Sequence, residues 1–183
     1  MLGTISEEQL GAAEDFADVT SATLKTDPWP HAQTLIAGAA RMAGTFLFRS
    51  FGLPLTGIHP GDMFLTDSAN LMGPQLVRIL QHVLKKLEIR LDEERMSQTP
   101  SRKDQPLLDF LQTQKQLEPR YTQIKDLWGL SLEEAAESAS IAAGILIKEN
   151  APNLDPSIGY ALAVYGFVTG SKTVPYPLPK DPA

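Results

Sequence analysis

The sequence contains no cysteine, and this absence removes several kinds of chemistry. Disulfide bonds, thiolate catalysis and zinc or iron–sulfur sites built on cysteine ligands are all excluded. Histidine is also scarce, since the chain has only His31, His59 and His82. No two of them are three to five residues apart, the spacing at which one helix face presents two histidines to a metal ion. Spacing alone therefore gives no helix a two-histidine metal site.

Long apolar runs and excess positive charge are missing as well. No apolar run approaches the ~18 residues that a membrane-spanning helix needs. The acidic N-terminal stretch lacks the basic and apolar regions of a signal peptide. Lysine and arginine number 16 against 22 acidic residues, a net charge of −6, so the basic footprint of a nucleic-acid-binding protein is absent. We expect a cytoplasmic protein with no membrane and no nucleic-acid partner.

Common catalytic and cofactor-binding motifs are also absent. The chain has no Gly-x-Gly-x-x-Gly, P-loop, His-Glu-x-x-His or Gly-x-Ser-x-Gly pattern. The Glu-x-x-His motif of di-iron helical bundles is missing, because Pro28 and Ile79 stand three residues before His31 and His82. The sequence therefore favours a protein that is not an enzyme, and we expect no metal and no cofactor.

What the chain does contain is helix-period patterning, clearest over residues 31–51. Apolar residues recur there at the i, i+3, i+4, i+7 spacing, with Gly38 and Gly44 in the middle turns. Two interior glycines cost about 1 kcal/mol each relative to alanine, which indicates that a second helix approaches closely. This segment is interpreted as a central core helix; the alternative is that its glycines leave room for a ligand. Arg41 and Arg49 share a face two turns apart and are interpreted as a solvated surface.

Capping signals place further helices along the chain. Ser6 and Ser131 each begin a capping box, which predicts helices over 7–24 and 132–149. Asp155 followed by Pro156 predicts a third, over 156–169 and closed by Gly170.

Two proline-containing helices complete the prediction. Helical patterning runs to about 96. We prefer a short turn over 68–72 followed by a helix from Pro74, and the alternative is that Pro74 kinks a longer helix. A second pattern runs over about 106–128, where Pro119 should kink or split the helix. We predict an all-α fold: a compact bundle of five or six helices with small-residue (Gly/Ala) packing at the centre, where the 31–51 helix contacts the two helices over 132–149 and 156–169.

The sequence predicts one helical domain over 1–170 and a proline-rich extended tail over 171–183. The tail is expected to dock on the folded body or on a second subunit, at least as far as Leu178. The connection over 52–67 contains six large apolar residues, each worth about 1.5–3 kcal/mol when fully buried. We therefore expect this loop to be ordered and packed down.

Polar residues gather at the end of that loop and form the candidate site. They are His59, Asp62, Thr66, Asp67, Ser68 and Asn70. His-Pro-Gly-Asp over 59–62 is a strong turn signal, and a histidine beside a carboxylate is a usual arrangement for a general base. We take His59, Asp62, Asp67 and Asn70 as candidate ligand-binding residues. The alternative is structural: Asp62 completes a turn, Asp67 caps a helix and His59 is solvated.

Two functions remain open from the sequence. The first is a non-catalytic helical binding or assembly module that forms a homodimer or a higher homo-oligomer. Three helices are rich in small residues, and together they offer more closely packing surface than the contact between two helices buries. The apolar loop and the tail also carry side chains that a partner could bury. The alternative is a small-molecule-binding protein or an enzyme that uses a polar site in the 52–70 loop.

Overall fold

The structure is a computed structural model that describes residues 5–24, 31–96 and 101–177, and it is built from α-helices. They are α1 (Glu7–Thr23), α2 (Ala32–Ser50), α3 (Asp67–Lys86), α4 (Glu93–Met96), α5 (Phe110–Leu127), α6 (Leu132–Asn150) and α7 (Pro156–Lys172), with a 3-10 turn at Arg102–Asp104. In the described part of the chain, the only extended pairing is one antiparallel bridge between Met63 and Thr173. The all-α prediction is confirmed, but these ranges hold seven α-helices rather than five or six.

Helix α2 packs against both α7 and α6, which confirms the predicted contacts of the 31–51 helix. At its crossing with α7 the two backbones touch. A Cβ atom added to Gly44 would lie 2.6 Å from the carbonyl oxygen of Phe167 and 2.7 Å from the Cα atom of Gly170. Around this pair, α1 packs on α6 and α5, and α3 packs on α6 and α7.

Three aromatic rings join α1, α2 and α5 in the interior. Phe16 stacks on Tyr121 with ring centroids 4.2 Å apart, and Phe46 tilts against both at 6.1 Å. The Tyr121 hydroxyl lies 2.6 Å from Oγ1 of Thr20, so the one polar atom of this buried ring has a partner. Burial raises the pKa of the Tyr121 hydroxyl far above its usual value, which keeps it neutral.

The predicted boundaries of the third helix are wrong. Helix α3 begins at Asp67, continues through Pro74 and ends at Lys86, ten residues before Met96. It ends there because Glu88 adopts a left-handed conformation with φ of 57°, and the N–H of Ile89 donates to the carbonyl of Leu84 at 2.9 Å. This is the Schellman pattern of a helix C-terminus, without its usual glycine.

Two further helix boundaries differ from the prediction. Helix α5 begins only at Phe110, because Asp109 and Gln112 form a capping box, and it runs unbroken through Pro119. Helix α7 does not end at Gly170 but continues to Lys172. Gly170 is a packing residue rather than a stop signal, since its Cα atom lies against the backbone of α2.

The loop between α2 and α3 is ordered, as predicted, but it is only partly packed down. Backbone hydrogen bonds tie it to the C-terminal segment: Gly61 donates to Val174 at 2.8 Å and Phe64 donates to Lys172 at 2.8 Å. No residue from 52 to 66 is buried, however, and Met63 is 75% exposed. Leu53, Leu55, Ile58 and Phe64 are partly buried, whereas Met63 and Leu65 are exposed. Packing is incomplete because backbone hydrogen bonds, including a third from Val174 to Asp62, order this segment without full burial of its apolar side chains.

Candidate functional site

His59 and Asp62 lie together on an exposed turn of the loop. The backbone N–H of His59 donates to Oδ2 of Asp62 at 2.9 Å, and the N–H of Asp62 donates to the His59 carbonyl at 3.1 Å. The imidazole Nδ1 lies 3.6 Å from Oδ2 of Asp62, beyond hydrogen-bond distance. Both side chains face solvent, with exposed fractions of 84% and 54%. The carboxylate thus completes the turn instead of orienting the ring as a general base.

Asp67 and Asn70 lie apart from that turn, in the first turn of α3. Thr66 caps this helix, because its hydroxyl accepts the N–H of Ala69 at 3.1 Å. Asp67 is exposed and suits the positive end of the helix dipole. Asn70 reaches across to α7, where its Oδ1 accepts a hydrogen bond from Nζ of Lys172 at 2.9 Å. The four predicted residues therefore occupy two places, a solvated turn and the start of α3.

Asn70 and Lys172 stand at the edge of a groove between α3 and α7. The groove encloses about 390 Å³. Its lining is Ala69, Asn70, Gly73, Pro74, Val77, Arg78, Phe167, Val168, Ser171 and Lys172. Most of these groups are apolar, and the two cations stand among them. The groove can accept an apolar side chain from a partner while Arg78 and Lys172 meet acidic groups.

Large apolar side chains are exposed on the helices that line the same groove and on the extended segment that pairs beside it. Leu71 is 77% exposed, Met63 75% and Leu65 68%, and Val168 on the groove wall is half-exposed. Met63 and Leu65 share one side of an extended segment, because side chains alternate there, and Phe64 between them packs edge-on against Phe48. Met63 pairs with Thr173, next to the groove residue Lys172. Met63, Leu65, Leu71, Val168 and the groove are called the apolar face below.

The prediction that Arg41 and Arg49 form a solvated surface is wrong. Both arginines of α2 are largely buried. Arg49 pairs with Glu118 of α5 through Nε and Nη2, and its Nη2 also donates to the carbonyl of Tyr176 at 2.6 Å. Gln114 accepts the N–H of Tyr176 at 2.8 Å and completes this network. The signal was present in the sequence: two charges within a helix that is apolar on every side require buried partners.

Comparisons with known proteins add no assignment to this geometry. Neither the protein-family models, nor the curated proteins, nor the solved structures contain a match to this chain. Over residues 5–24, 31–96 and 101–177, no helix combines the length and apolar content of a membrane span. The same ranges show no group of three or more histidine, aspartate or glutamate side chains placed to share a metal ion.

Proposed function

We propose that this protein is a non-catalytic helical binding module that assembles with a second copy of itself through the apolar face. The observation that carries the proposal is that four large apolar side chains are exposed on the elements that form or adjoin a mostly apolar groove. Contiguous apolar patches on a soluble protein typically mark interaction sites. The small-residue crossing of α2 and α7 serves in this proposal as the rigid support behind that face.

Self-assembly suits the face because it carries both halves of a complementary contact. A two-fold interface places the same patch opposite itself, so a protruding residue of one copy meets a recess of the other. Leu71 protrudes beside the groove, and the apolar groove wall at Val77 and Phe167 offers the recess.

Charge on this face is mixed in a way that also suits a second copy. Arg78 and Lys172 line the groove, whereas Asp62 and Asp67 flank the protruding Met63 and Leu65 in the sequence. A two-fold contact lets the acids of one copy approach the bases of the other. Association costs about 4–15 kcal/mol in lost freedom, and burial of a large apolar side chain returns about 1.5–3 kcal/mol. Both copies contribute the same four side chains, so burial on both sides of the contact offsets the cost of association.

The alternative function, a small-molecule-binding protein or enzyme using the 52–70 loop, has less support. It needs His59 and Asp62 to meet Asn70 in an enclosed cavity. The first two side chains instead face solvent on a turn, while Asn70 bonds to Lys172 at the groove.

Leu71→Arg tests the proposal, because it places a charge on the apolar face at a position that is 77% exposed and therefore outside the core. We expect the native protein to sediment above its monomer mass of 20.0 kDa and the variant to sediment at that mass, with unchanged helical circular dichroism. Leu127→Arg is the matched control, since Leu127 is equally exposed but lies at the end of α5. A native monomer at all concentrations, or dissociation by the control alone, would refute assembly through this face.

A further inference from the structure

A second, smaller cavity lies between α2, α7 and the segment that leads into α5. It encloses about 140 Å³. Ala37, Pro106, Leu162 and Gly166 supply apolar walls, and Arg41, Gln105 and Tyr165 supply the polar groups. None of these residues belongs to the apolar face, so an inference from this cavity stands independently of the proposed assembly.

Arg41 is the unusual member of this lining, because it is a cation only 8% exposed. Its Nη1 donates to the carbonyl oxygens of Leu108 and Asp109, at 2.7 and 3.2 Å, and to Oγ1 of Thr113 at 2.8 Å. All three acceptors are neutral, whereas Arg49 on the same helix has the carboxylate of Glu118. The Nε of Arg41 is buried and has no hydrogen-bond partner.

A buried cation with no carboxylate bonded to it is costly, because the charge has lost water and its hydrogen-bond acceptors are neutral dipoles. Burial lowers the pKa of the Arg41 guanidinium, and the nearby Asp109 opposes that change. Arginine nevertheless stays protonated in proteins. The cavity wall therefore carries a permanent positive charge in a poorly hydrated place, where a matching anion interacts more strongly than at the surface.

We propose that this cavity binds a short-chain monocarboxylate. The carboxylate meets the guanidinium of Arg41 and the hydroxyl of Tyr165, and the short alkyl chain lies against Ala37, Pro106 and Leu162. A single guanidinium matches one negative charge, and its planar fork matches the two oxygens of a carboxylate. A cavity of about 140 Å³ is below the size of cofactor sites, and its apolar walls suit an alkyl chain better than the hydrated oxygens of phosphate.

The Nε–H resonances of the two buried arginines make a direct test with the full-length protein. Butyrate is titrated into labelled protein while both signals are followed by NMR. We expect a saturable shift of the Arg41 signal and none of the Arg49 signal, because Arg49 is already paired with Glu118. Butyramide, which has the same shape without the charge, is expected to leave both signals in place.

Two variants test the location while they retain Arg41. Ala37→Val fills the cavity and should weaken the binding of butyrate by about tenfold or more, equivalent to about 1.4 kcal/mol. Tyr165→Phe removes one exposed hydroxyl and should weaken the binding of butyrate by about threefold to tenfold, the change expected for the loss of one hydrogen bond. An absent shift, an equal shift with butyramide, tighter binding of phosphate, or undiminished binding by a folded Ala37→Val protein would each overturn the assignment.

Discussion

At the scale of single residues, glycines in similar helical settings have opposite roles. Gly44 has no room for a side chain, because the atoms nearest to its missing Cβ belong to the backbone of α7. Backbone atoms in a packed helix cannot rotate away as a flexible side chain does. Gly73, inside α3, has open space at the same position: apart from its chain neighbours and the backbone of its own helix, no atom lies within 4 Å of an added Cβ. The fold requires glycine at the first site and only tolerates it at the second.

A matched pair of alanine substitutions separates these roles. Gly44→Ala should lower the free energy of unfolding by about 1–3 kcal/mol, the usual cost of overpacking. Gly73→Ala should change it by less than about 1 kcal/mol, because the chain entropy that alanine saves in a helix is opposed by the contact of its Cβ with the ring of Pro74. Urea unfolding of both variants measures the difference. Equal and small effects at the two sites would mean that α2 and α7 do not cross at Gly44.

At the scale of elements, helix starts follow from residues that are three positions apart. In α6 the N–H of Glu134 donates to Oγ of Ser131 at 3.2 Å, and the N–H of Ser131 donates to Oε2 of Glu134 at 2.8 Å. The box at Ser6 and Gln9 has the same form. In contrast, Pro74 and Pro119 did not break their helices, because buried residues on both sides of each proline hold the helix against the core.

The capping box of α6 predicts a defined pH dependence. The backbone N–H of Ser131 holds the pKa of Glu134 below its usual value of 4.5. A carboxylate whose pKa is lowered on folding stabilises the fold above that usual value, and the stabilisation disappears as the pH falls through the lowered pKa. The stability advantage of the native protein over Glu134→Gln should therefore be full near neutral pH and vanish in acid.

Urea unfolding over a series of pH values measures that advantage. Glu133→Gln is the matched control, since Glu133 carries the same charge in the same helical turn but takes no part in the box. Both substitutions remove a favourable interaction with the helix dipole, so only their difference reports on the cap. An identical pH dependence for the two variants would contradict a specific contribution from the hydrogen bond to Ser131.

At the scale of the whole molecule, the C-terminal segment closes the fold. Val174 is buried, and its N–H donates to the carbonyl of Asp62 at 2.9 Å. Both backbone polar groups of Tyr176 are bonded to side chains of the body. Docking of the tail is therefore confirmed as far as Tyr176, while Leu178 lies outside the described residues. The ring of Tyr176 remains partly exposed, so the attachment is made mainly by backbone hydrogen bonds and by the buried Val174 and Pro175.

A chain that ends at Lys172 should be less stable than one that ends at Pro177. The shorter chain loses the burial of Val174, worth about 1.5–3 kcal/mol, together with the hydrogen bonds of Tyr176. For a protein of this size each kcal/mol shifts the melting temperature by about 2–4 °C. The chain ending at Pro177 retains all of these contacts and controls for shortening. Equal melting temperatures would show that the segment contributes nothing to stability.

The sequence by itself determined the helical class, the starts of α1, α6 and α7, and the burial of α2. These features depend on residues three or four positions apart, so local patterns carry them. The His59–Asp62 turn was predictable for the same reason, both as a turn and as the structural alternative to a site.

Only the tertiary structure decided the positions of the functional surfaces. Arg49 meets Glu118 at a sequence separation of 69 residues, and Asn70 meets Lys172 at 102. The exposure of Leu71 and the burial of Arg41 depend on which helices pack beside them. No periodic pattern within one helix contains that information, because a side chain is buried or exposed only with respect to partners that the folded chain brings to it.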